Sequence, residues 1–316
     1  MIQDITLQNP TSRDWRLGIR PLMEAVPNTE DNPIVESGAL YQRTMSFDSP
    51  PFTERDLSGV DTQLIRVPTQ EKFIGQMVNA MKYFFSRGDE SFSDHFSSMG
   101  KSDNFPFKGF VLTGPPGSGK TEAVIEAGRR LYSELAMESI EVRLLHISTA
   151  DINRGRVGEM EQRLRSVFNE AKSEIRTGLR TILLFDDIDT LLMSRDDKRS
   201  EEWSVSLNAT FFHAVDRLRT SDTMICATTN KTEMLDDAVK SRLSVKEAPA
   251  PNFEEMKIVA KSALPLRGAN GLTQDQLLEL AAERILENQE AGEPDSFRLA
   301  RKSAIEVLMK EVVGWE

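Results

Sequence analysis

One eight-residue segment constrains this chain more than any other feature of its sequence, because it matches the pattern G-x-x-x-x-G-K-[ST]. The segment comprises Gly114, Pro115, Pro116, Gly117, Ser118, Gly119, Lys120 and Thr121. The residues before it, 108–113, are typical of a buried strand, and the residues after it, 122–136, are typical of a helix. In this context, glycines let backbone N–H groups turn inward and the helix N-terminus adds unpaired donors. The segment therefore predicts a polyphosphate-binding loop at the carboxyl end of a strand.

Side chains in and after this loop suit particular parts of a bound nucleoside triphosphate. Lys120 is expected to reach the β- and γ-phosphates, and the hydroxyl of Thr121 to ligate Mg²⁺. A second strand, Thr181–Phe185, is followed by the carboxylates of Asp186 and Asp187. Ligands of parallel sheets bind at this end of the strands. We therefore expect Asp186 to be the Mg²⁺ partner, through water, and Asp187 to orient the attacking water.

Two further polar residues complete a predicted catalytic set that also contains Lys120 and Asp187. Asn230 follows the strand Thr223–Thr228, where a neutral amide can hydrogen-bond the γ-phosphate or the attacking water without adding repulsive charge. Arg242 follows a short predicted helix, from which its guanidinium could reach the γ-phosphate of a neighbouring subunit. An Asx-turn at Asn230 and a solvated surface arginine at Arg242 are the alternatives that the residues leave open.

Apolar periodicity predicts strands that alternate with helices between residues 71 and 228. Strands separated by helices imply an α/β fold in which a parallel sheet has helices on both faces. Together with the polyphosphate-binding loop, this pattern predicts the fold of a P-loop NTPase. After residue 251 the strand pattern stops, and helices are predicted over residues 253–264, 274–287 and 296–311. This second pattern predicts a small all-helical lid domain.

The predicted domain boundaries fall where the composition changes. Pro249 and Pro251 interrupt the apolar periods, and turn-forming residues without a long helical pattern dominate the first 60 residues. The predicted units are 1–60, an N-terminal arm or small irregular domain; 61–250, the large nucleotide-binding domain; and 251–316, the small helical lid domain.

The composition restricts where such a chain acts and what it binds. It has 50 acidic and 39 basic residues, and the net charge of −11 disfavours a broad nucleic-acid-binding surface. The single cysteine, Cys226, has no internal disulfide partner, and the three histidines lack zinc-ligand spacing. We find neither an export signal nor an apolar run of about 20 residues. We therefore expect a cytoplasmic protein that does not span a membrane, and we do not expect nucleic acid to be its partner.

The order of the motifs GPPGSGKT, LLFDDID, ATTN and SRL, followed by a helical domain, resembles the AAA+ ATPases over residues 55–316. Within that span, Thr228–Arg242 and Ser296–Lys302 resemble the pachytene-checkpoint family, which remodels HORMA-domain proteins. The resemblance implies that ATP binds between the large and small domains of subunits in a ring, usually a hexamer. It also implies that Arg242 acts across the subunit interface and that Arg298 is a second phosphate sensor from the small domain.

Two positions depart from the AAA+ pattern. Asp187 stands where these ATPases usually have glutamate, and the shorter side chain implies slow turnover with nucleotide binding retained. Residues 153–159 align with the central-pore loop, where Arg156, followed by Val157, replaces the aromatic residue with which many relatives grip an extended polypeptide. An arginine can still pack by its stem and bind backbone or acidic oxygens. We therefore expect Arg156 and Val157 to contact a protein substrate in the pore.

The resemblance leads to one main hypothesis of function and two alternatives. The main hypothesis is an ATP hydrolase whose ring couples Mg-ATP hydrolysis to local unfolding of a HORMA-domain protein, as in bacterial anti-phage signalling. The first alternative is a nucleic-acid motor or a clamp- or helicase-loader ATPase, since Arg154 and Arg156 could contact backbone phosphates. The second is a nucleotide-gated scaffold, if Asp187 does not support hydrolysis.

Overall fold

A computed structural model describes residues 50–59, 65–86, 107–153, 158–173, 178–192, 202–235 and 237–315. These residues lie within one compact unit, Ser49–Glu316. Its strands are β1 (Phe52–Arg55), β2 (Gly109–Thr113), β3 (Glu141–Ser148), β4 (Leu179–Asp186), β5 (Thr223–Thr228) and β6 (Leu243–Glu247). Its α-helices are α1 (Pro68–Phe85), α2 (Lys120–Leu135), α3 (Thr149–Ile152), α4 (Glu159–Ser173), α5 (Glu202–Asp216), α6 (Asp237–Lys240), α7 (Phe253–Ala263), α8 (Gln274–Glu290) and α9 (Phe297–Leu308).

The strands of the described residues form one six-stranded sheet in the order β1-β3-β4-β5-β2-β6. All neighbouring strands run parallel except β1, which is antiparallel to β3. The predicted parallel sheet is therefore confirmed, with one antiparallel strand added at its edge. Because β2, β4 and β5 are adjacent and parallel, their carboxyl ends at Thr113, Asp186 and Thr228 lie at the same edge of the sheet. Ligands of such sheets bind at this edge.

Helices cover both faces of the sheet, and the residues of β4 show how each face is filled. Leu183 and Phe185 belong to a core completed by α4 and α5, whereas Ile182 and Leu184 belong to a second core with α1 and α2. All four side chains are fully buried. A strand buried on both faces has no polar alternation, which explains the continuous apolar run in the sequence at this position.

Two edge strands were not predicted from the sequence. β1 comes from the segment assigned to the N-terminal arm, and it pairs with β3 so that Phe52 lies opposite Ile147. Its last three residues are exposed, and β6 likewise ends in the exposed Lys246 and Glu247. β1 and β6 each lie at an edge of the sheet, and their exposed ends carry charged side chains, as is common in edge strands, instead of an apolar run. The antiparallel partner of β3 therefore left little signal in the sequence.

The helices α7, α8 and α9 pack around a core of their own, which Val67 from the segment before α1 also enters. Capping boxes close the N-termini of α7 and α8, and the one formed by Thr273 and Gln276 confirms the sequence prediction. The third helix ends earlier than expected, at Leu308, and a π-helical turn follows over Met309–Val313. The predicted helical C-terminal part is confirmed, while the exact domain boundaries stay predictions. No helix within the described ranges is long and apolar enough to cross a bilayer.

Candidate functional site

The loop between β2 and α2 turns sharply and leads directly into the helix. Gly117 and Gly119 have positive φ angles of 82° and 83°. Such a conformation costs a residue with a side chain about 1–2 kcal/mol, whereas glycine adopts it readily. Gly119 is the N-cap of α2, and no side chain caps this helix. The first backbone N–H groups of α2 are therefore available to an anion.

The side chain of Lys120 lies across the loop, where its Nζ has three close oxygen partners and a fourth, Oγ of Ser118, at 3.4 Å. Its Nζ is 2.9 Å from the carbonyl oxygens of Gly114 and Pro115 and 2.8 Å from Oδ1 of Asn230. Burial lowers the pKa of this ammonium group, and the neighbouring carboxylate of Asp187 partly offsets that effect. Phosphate oxygens are stronger, charged acceptors than these neutral oxygens. Lys120 is therefore placed to exchange them for a phosphate.

Asp186, at the end of β4, accepts hydrogen bonds from residues of two neighbouring elements. Its Oδ1 lies 2.7 Å from Oγ1 of Thr121 and 2.5 Å from Oγ1 of Thr228. His146 Nε2 lies 3.8 Å from Oδ2. Burial alone would raise the pKa of Asp186, but these neighbours outweigh burial and lower the pKa to about 2. The carboxylate is thus ionised at neutral pH, and together with the Thr121 hydroxyl it fits the oxygen ligands that Mg²⁺ prefers.

Asp187 and Asn230 are joined side chain to side chain, since Nδ2 of Asn230 donates to Oδ1 of Asp187 at 3.0 Å. Asp187 has a positive φ of 48°, a conformation that Asp tolerates better than most residues. The pKa of Asp187 is raised by burial and by the carboxylates of Asp186 and Asp189. Because Asn230 also accepts from Lys120, one amide connects the loop lysine to the second carboxylate.

A cavity of about 810 Å³ lies against the loop and the N-terminal end of α9. Lys120, Thr121, Asp186, Asp187, Asn230 and Arg298 all line it. The backbone N–H of Phe297 donates to the carbonyl oxygen of Gly117 at 3.1 Å, so α9 contacts the loop directly. The positive charge of Arg298 favours the ionised form of Asp187 and disfavours that of Lys120. The small helical part thus supplies a cation to the cavity that holds the loop.

Apolar side chains that sequence reasoning did not single out also line this cavity. They are Ile65, Ile74, Val259 and Ile305. An apolar surface of this kind suits the flat face of a nucleobase. These residues come from the segment before α1, from α1 itself and from the helical part, so no local pattern in the sequence links them.

Arg242 does not line this cavity. Its guanidinium instead forms an ion pair with Asp216, with Nε 2.6 Å from Oδ1 and Nη2 2.9 Å from Oδ2. Its Nη1 donates to the carbonyl oxygen of Ala238 at 3.0 Å, and its Cζ lies 5.1 Å from the centre of the Phe212 ring. The structure therefore gathers Lys120, Thr121, Asp186, Asp187, Asn230 and Arg298 at one cavity and leaves Arg242 apart from them. The predicted pore residues Arg156 and Val157 lie outside the described residues.

Three polar residues of the site also escaped prediction. Thr228 binds Asp186, Thr229 donates to Oδ1 of Asp189 at 2.7 Å, and Gln70 donates to the carbonyl oxygen of Ser118 at 2.9 Å. The two threonines directly precede Asn230 in the ATTN motif, and that position was the sequence signal that could have identified them as site residues. Gln70 had no such signal, because it lies 48 residues before its partner.

Comparison with known proteins finds similar ATPases. Residues 110–248 match the model of the ATPase family associated with various cellular activities (AAA). A protein of Kocuria rhizophila described as an AAA ATPase forming ring-shaped complexes is 28% identical over 210 residues, 60% of this chain and 36% of that protein. Chicken spastin (Gallus gallus) is 32% identical over 180 residues, 56% of this chain and 27% of spastin. The chain thus spans well under half the length of these relatives.

A solved structure supports the same fold. A chain of the E. coli MS115-1 HORMA:CdnC:Trip13 complex superposes with a TM-score of 0.53 at 20% identity, covering 77% of this chain and 93% of that chain. The matched residues 110–248 contain the loop, both carboxylates, Asn230 and Arg242. Residues 110–248 of this chain are therefore similar to the AAA ATPase domain, and the described residues share its fold.

Proposed function

We propose that this chain hydrolyses ATP in a ring of identical subunits and uses the resulting movement to unfold part of a protein partner. One observation carries the nucleotide part of the proposal. The glycine loop, the ionised Asp186, the Asp187–Asn230 pair and Arg298 converge on a single cavity. Such a set supplies charge and orientation to a transferring phosphoryl group, which is where most of the catalysis of phosphoryl transfer arises.

Each side chain has a definite part in this reaction. Lys120 exchanges the loop carbonyl oxygens for the β- and γ-phosphates, and Arg298 adds positive charge from the lid side. Asp187 accepts a proton of the attacking water and orients it, while the bond from Asn230 fixes the carboxylate. Thr121 and Asp186 would hold Mg²⁺, whose charge would offset that of the phosphate oxygens.

The ring is supported by the position of Arg242 and by the relatives. Within its own chain this arginine is bound to Asp216 and does not line the cavity. An arginine finger can be supplied in trans by a neighbouring subunit, and Arg242 lies outside the cavity of its own chain. The relatives from Kocuria and Bifidobacterium are described as forming ring-shaped complexes. We propose a hexamer in which each Arg242 completes the site of the next subunit.

The partner that we propose is a HORMA-domain protein, handled in the bacterial cytoplasm as part of anti-phage signalling. The support is the resemblance of Thr228–Arg242 and Ser296–Lys302 to the pachytene-checkpoint family. A second support is the solved complex with a similar fold, which contains HORMA, CdnC and Trip13. In this proposal Arg156 and Val157 contact the partner in the central pore.

The test combines assembly size with partner-stimulated hydrolysis. The full chain with Mg-ATP is measured by mass photometry, and phosphate release is followed alone, with a HORMA-domain protein from the same genome, and with single-stranded DNA. We expect a hexamer whose hydrolysis rises with the HORMA-domain protein. Arg156→Ala should remove that rise without changing the basal rate, whereas the control Arg165→Ala, at an exposed position of α4, should change neither.

The other outcomes separate the alternatives. Equal hydrolysis with and without the HORMA-domain protein would contradict the proposed partner. Stimulation by DNA, lost as salt is raised, would indicate a nucleic-acid motor instead. ATP binding without phosphate release under any condition would indicate a nucleotide-gated scaffold.

A further inference from the structure

The first turn of α1 contacts two separate parts of the molecule through adjacent residues. The backbone N–H of Thr69 donates to Oε1 of Glu255, in α7 of the helical part, at 2.8 Å. The next residue, Gln70, donates from Nε2 to the carbonyl oxygen of Ser118, in the phosphate-binding loop, at 2.9 Å. Gln70 also lines the nucleotide cavity, but neither contact was given a part in the nucleotide chemistry above. Together they join the helical part to the loop through one helical turn.

The bond from Gln70 to the loop is buried and specific. Gln70 is 7% exposed and Ser118 is 0% exposed, so water does not readily take the place of the amide donor. The acceptor is a carbonyl oxygen, so the donating atom of the side chain is its nitrogen. A Cβ atom at Gly119 would lie 3.3 Å from that nitrogen, which shows how closely the side chain approaches the loop. The bond therefore fixes the backbone at the residue before the N-cap of α2.

Glu255 fixes the same turn of α1 to the helical part. Its Oε2 accepts from the backbone N–H of Asn252 at 3.0 Å, which completes the capping box of α7, and its Oε1 accepts from Thr69. This carboxylate is 3% exposed. Val67, just before α1, is fully buried in the core of the helical part. The first turn of α1 is therefore bonded to α7, and the residue before α1 packs into the same core.

We propose that Gln70 is a positioning residue that holds the phosphate-binding loop ready for nucleotide, and that the Thr69–Glu255 bond makes this hold depend on the helical part. The proposal rests on nucleotide binding at this loop. A loop already in its binding conformation avoids an ordering cost when the ligand arrives. Removal of the Gln70 donor therefore weakens nucleotide binding although Gln70 need not touch the nucleotide.

The direct test replaces the amide with an apolar side chain of similar length. In the full chain, Gln70→Met should weaken binding of a fluorescent ADP analogue roughly threefold to tenfold, the range expected for one buried hydrogen bond. Gln76→Met, at an exposed position of the same helix, is the matched control and should leave the affinity unchanged. Hydrogen exchange of the nucleotide-free protein should quicken over residues 114–121 in Gln70→Met and stay unchanged in the control.

The second test measures the coupling to the helical part. Glu255→Met removes the acceptor for Thr69, and it should also weaken binding of the analogue. If Glu255 acts on nucleotide binding through Gln70, the double variant should bind the analogue no more weakly than the single variant with the lower affinity. Independent contacts would instead multiply their effects, and that result would overturn the coupling.

The outcomes distinguish this inference from the proposed function. A wild-type chain that binds no nucleotide would contradict the proposed function. Normal affinity and unchanged loop exchange in Gln70→Met, with wild-type binding intact, would overturn the positioning role alone. Faster exchange across the whole unit in Gln70→Met would show general destabilisation and would overturn it as well.

Discussion

Arg242 and Asp216 form a two-bonded ion pair in which Nε lies 2.6 Å from Oδ1 and Nη2 lies 2.9 Å from Oδ2. The pair joins the start of β6 to the end of α5, and the ring of Phe212 lies 5.1 Å from the guanidinium carbon. A bidentate pair of this type restricts a long side chain to one orientation. The arginine that we propose to act on the neighbouring subunit is therefore held in a defined position before any nucleotide binds.

The first prediction concerns the trans action of Arg242. Arg242→Ala should lower ATP hydrolysis by a factor of about 10³ or more, the typical contribution of an arginine finger, and leave the affinity for ADP unchanged. Arg217→Ala, at an exposed position nearby, is the control. Mixed rings of Arg242→Ala and Lys120→Ala subunits should regain hydrolysis, because an intact loop then faces an intact arginine. Mixtures as inactive as either variant would contradict action across the interface.

The second prediction concerns Asp216. The hydrogen bond from Arg242 lowers the pKa of Asp216, so the pair stabilises the fold above the ordinary pKa of 3.8 and loses that effect as the pH falls through the lowered value. Asp216→Asn should therefore unfold at a lower temperature than wild type at neutral pH. The difference should shrink as the solution is acidified below the ordinary pKa of 3.8. Thermal unfolding followed by circular dichroism measures it, and a constant difference at all pH values would refute the assignment.

The third prediction concerns Asp187, which stands where glutamate is usual. Asp187→Asn should reduce phosphate release at least about a hundredfold, because the amide does not accept the proton of the attacking water. Nucleotide affinity should change little, since Lys120, Thr121 and Asp186 are untouched. Asp275→Asn, whose side chain is 80% exposed in wild type, is the control. Retained hydrolysis in Asp187→Asn would point to another group, and Asp189 would be examined next.

The fourth prediction separates the two carboxylates by pH. Burial, Asp186 and Asp189 raise the pKa of Asp187 above 3.8, whereas the hydrogen-bonded Asp186 has a pKa of about 2. As the pH falls, Asp187 is protonated first, so hydrolysis should decline while Asp186 is still ionised and the Mg²⁺-dependent part of nucleotide binding persists. Steady-state hydrolysis and analogue binding are measured over the same pH range. Parallel loss of both would show that one group controls binding and turnover together.

The site residues that could be predicted from the sequence lie in short motifs directly beside a strand or a helix. The loop lies between a strand and a helix, and Asp186 ends a strand buried on both faces, so the apolar run and the carboxylate appear together in the sequence. Parallel pairing then brings such ends to one edge. The strand order itself was not predicted, because the order of β4, β5 and β2 depends on contacts between distant segments.

The residues that were missed act across long separations. Asp216 lies 26 residues before Arg242, and Gln70 lies 48 residues before Ser118. An aspartate at the end of a helix and a glutamine in a first turn are ordinary surface residues in a sequence pattern. Their partners become apparent when α5 meets β6 and when α1 packs against α2. The spacing of apolar residues along a chain carries no information about contacts between distant segments. These two contacts could therefore not be predicted from the sequence.

The last prediction concerns the close contact between the loop and α9. A Cβ atom at Gly117 would lie 2.4 Å from Cβ of Arg298 and 3.4 Å from its backbone nitrogen, so Gly117→Ala must displace α9 or the loop. Gly271→Ala is a matched control, because its φ of 81° carries a similar conformational cost while no atom lies within 4 Å of the added carbon.

Both glycine variants should therefore lower the unfolding temperature. Gly117→Ala alone should also weaken nucleotide binding, by roughly tenfold or more. The reason is that the displaced α9 moves the N–H of Phe297 away from the loop. Analogue binding and thermal unfolding are measured on the same preparations. Equal nucleotide affinity in the two variants would mean that the contact between α9 and the loop does not contribute to binding, and that Arg298 reaches the nucleotide independently of it.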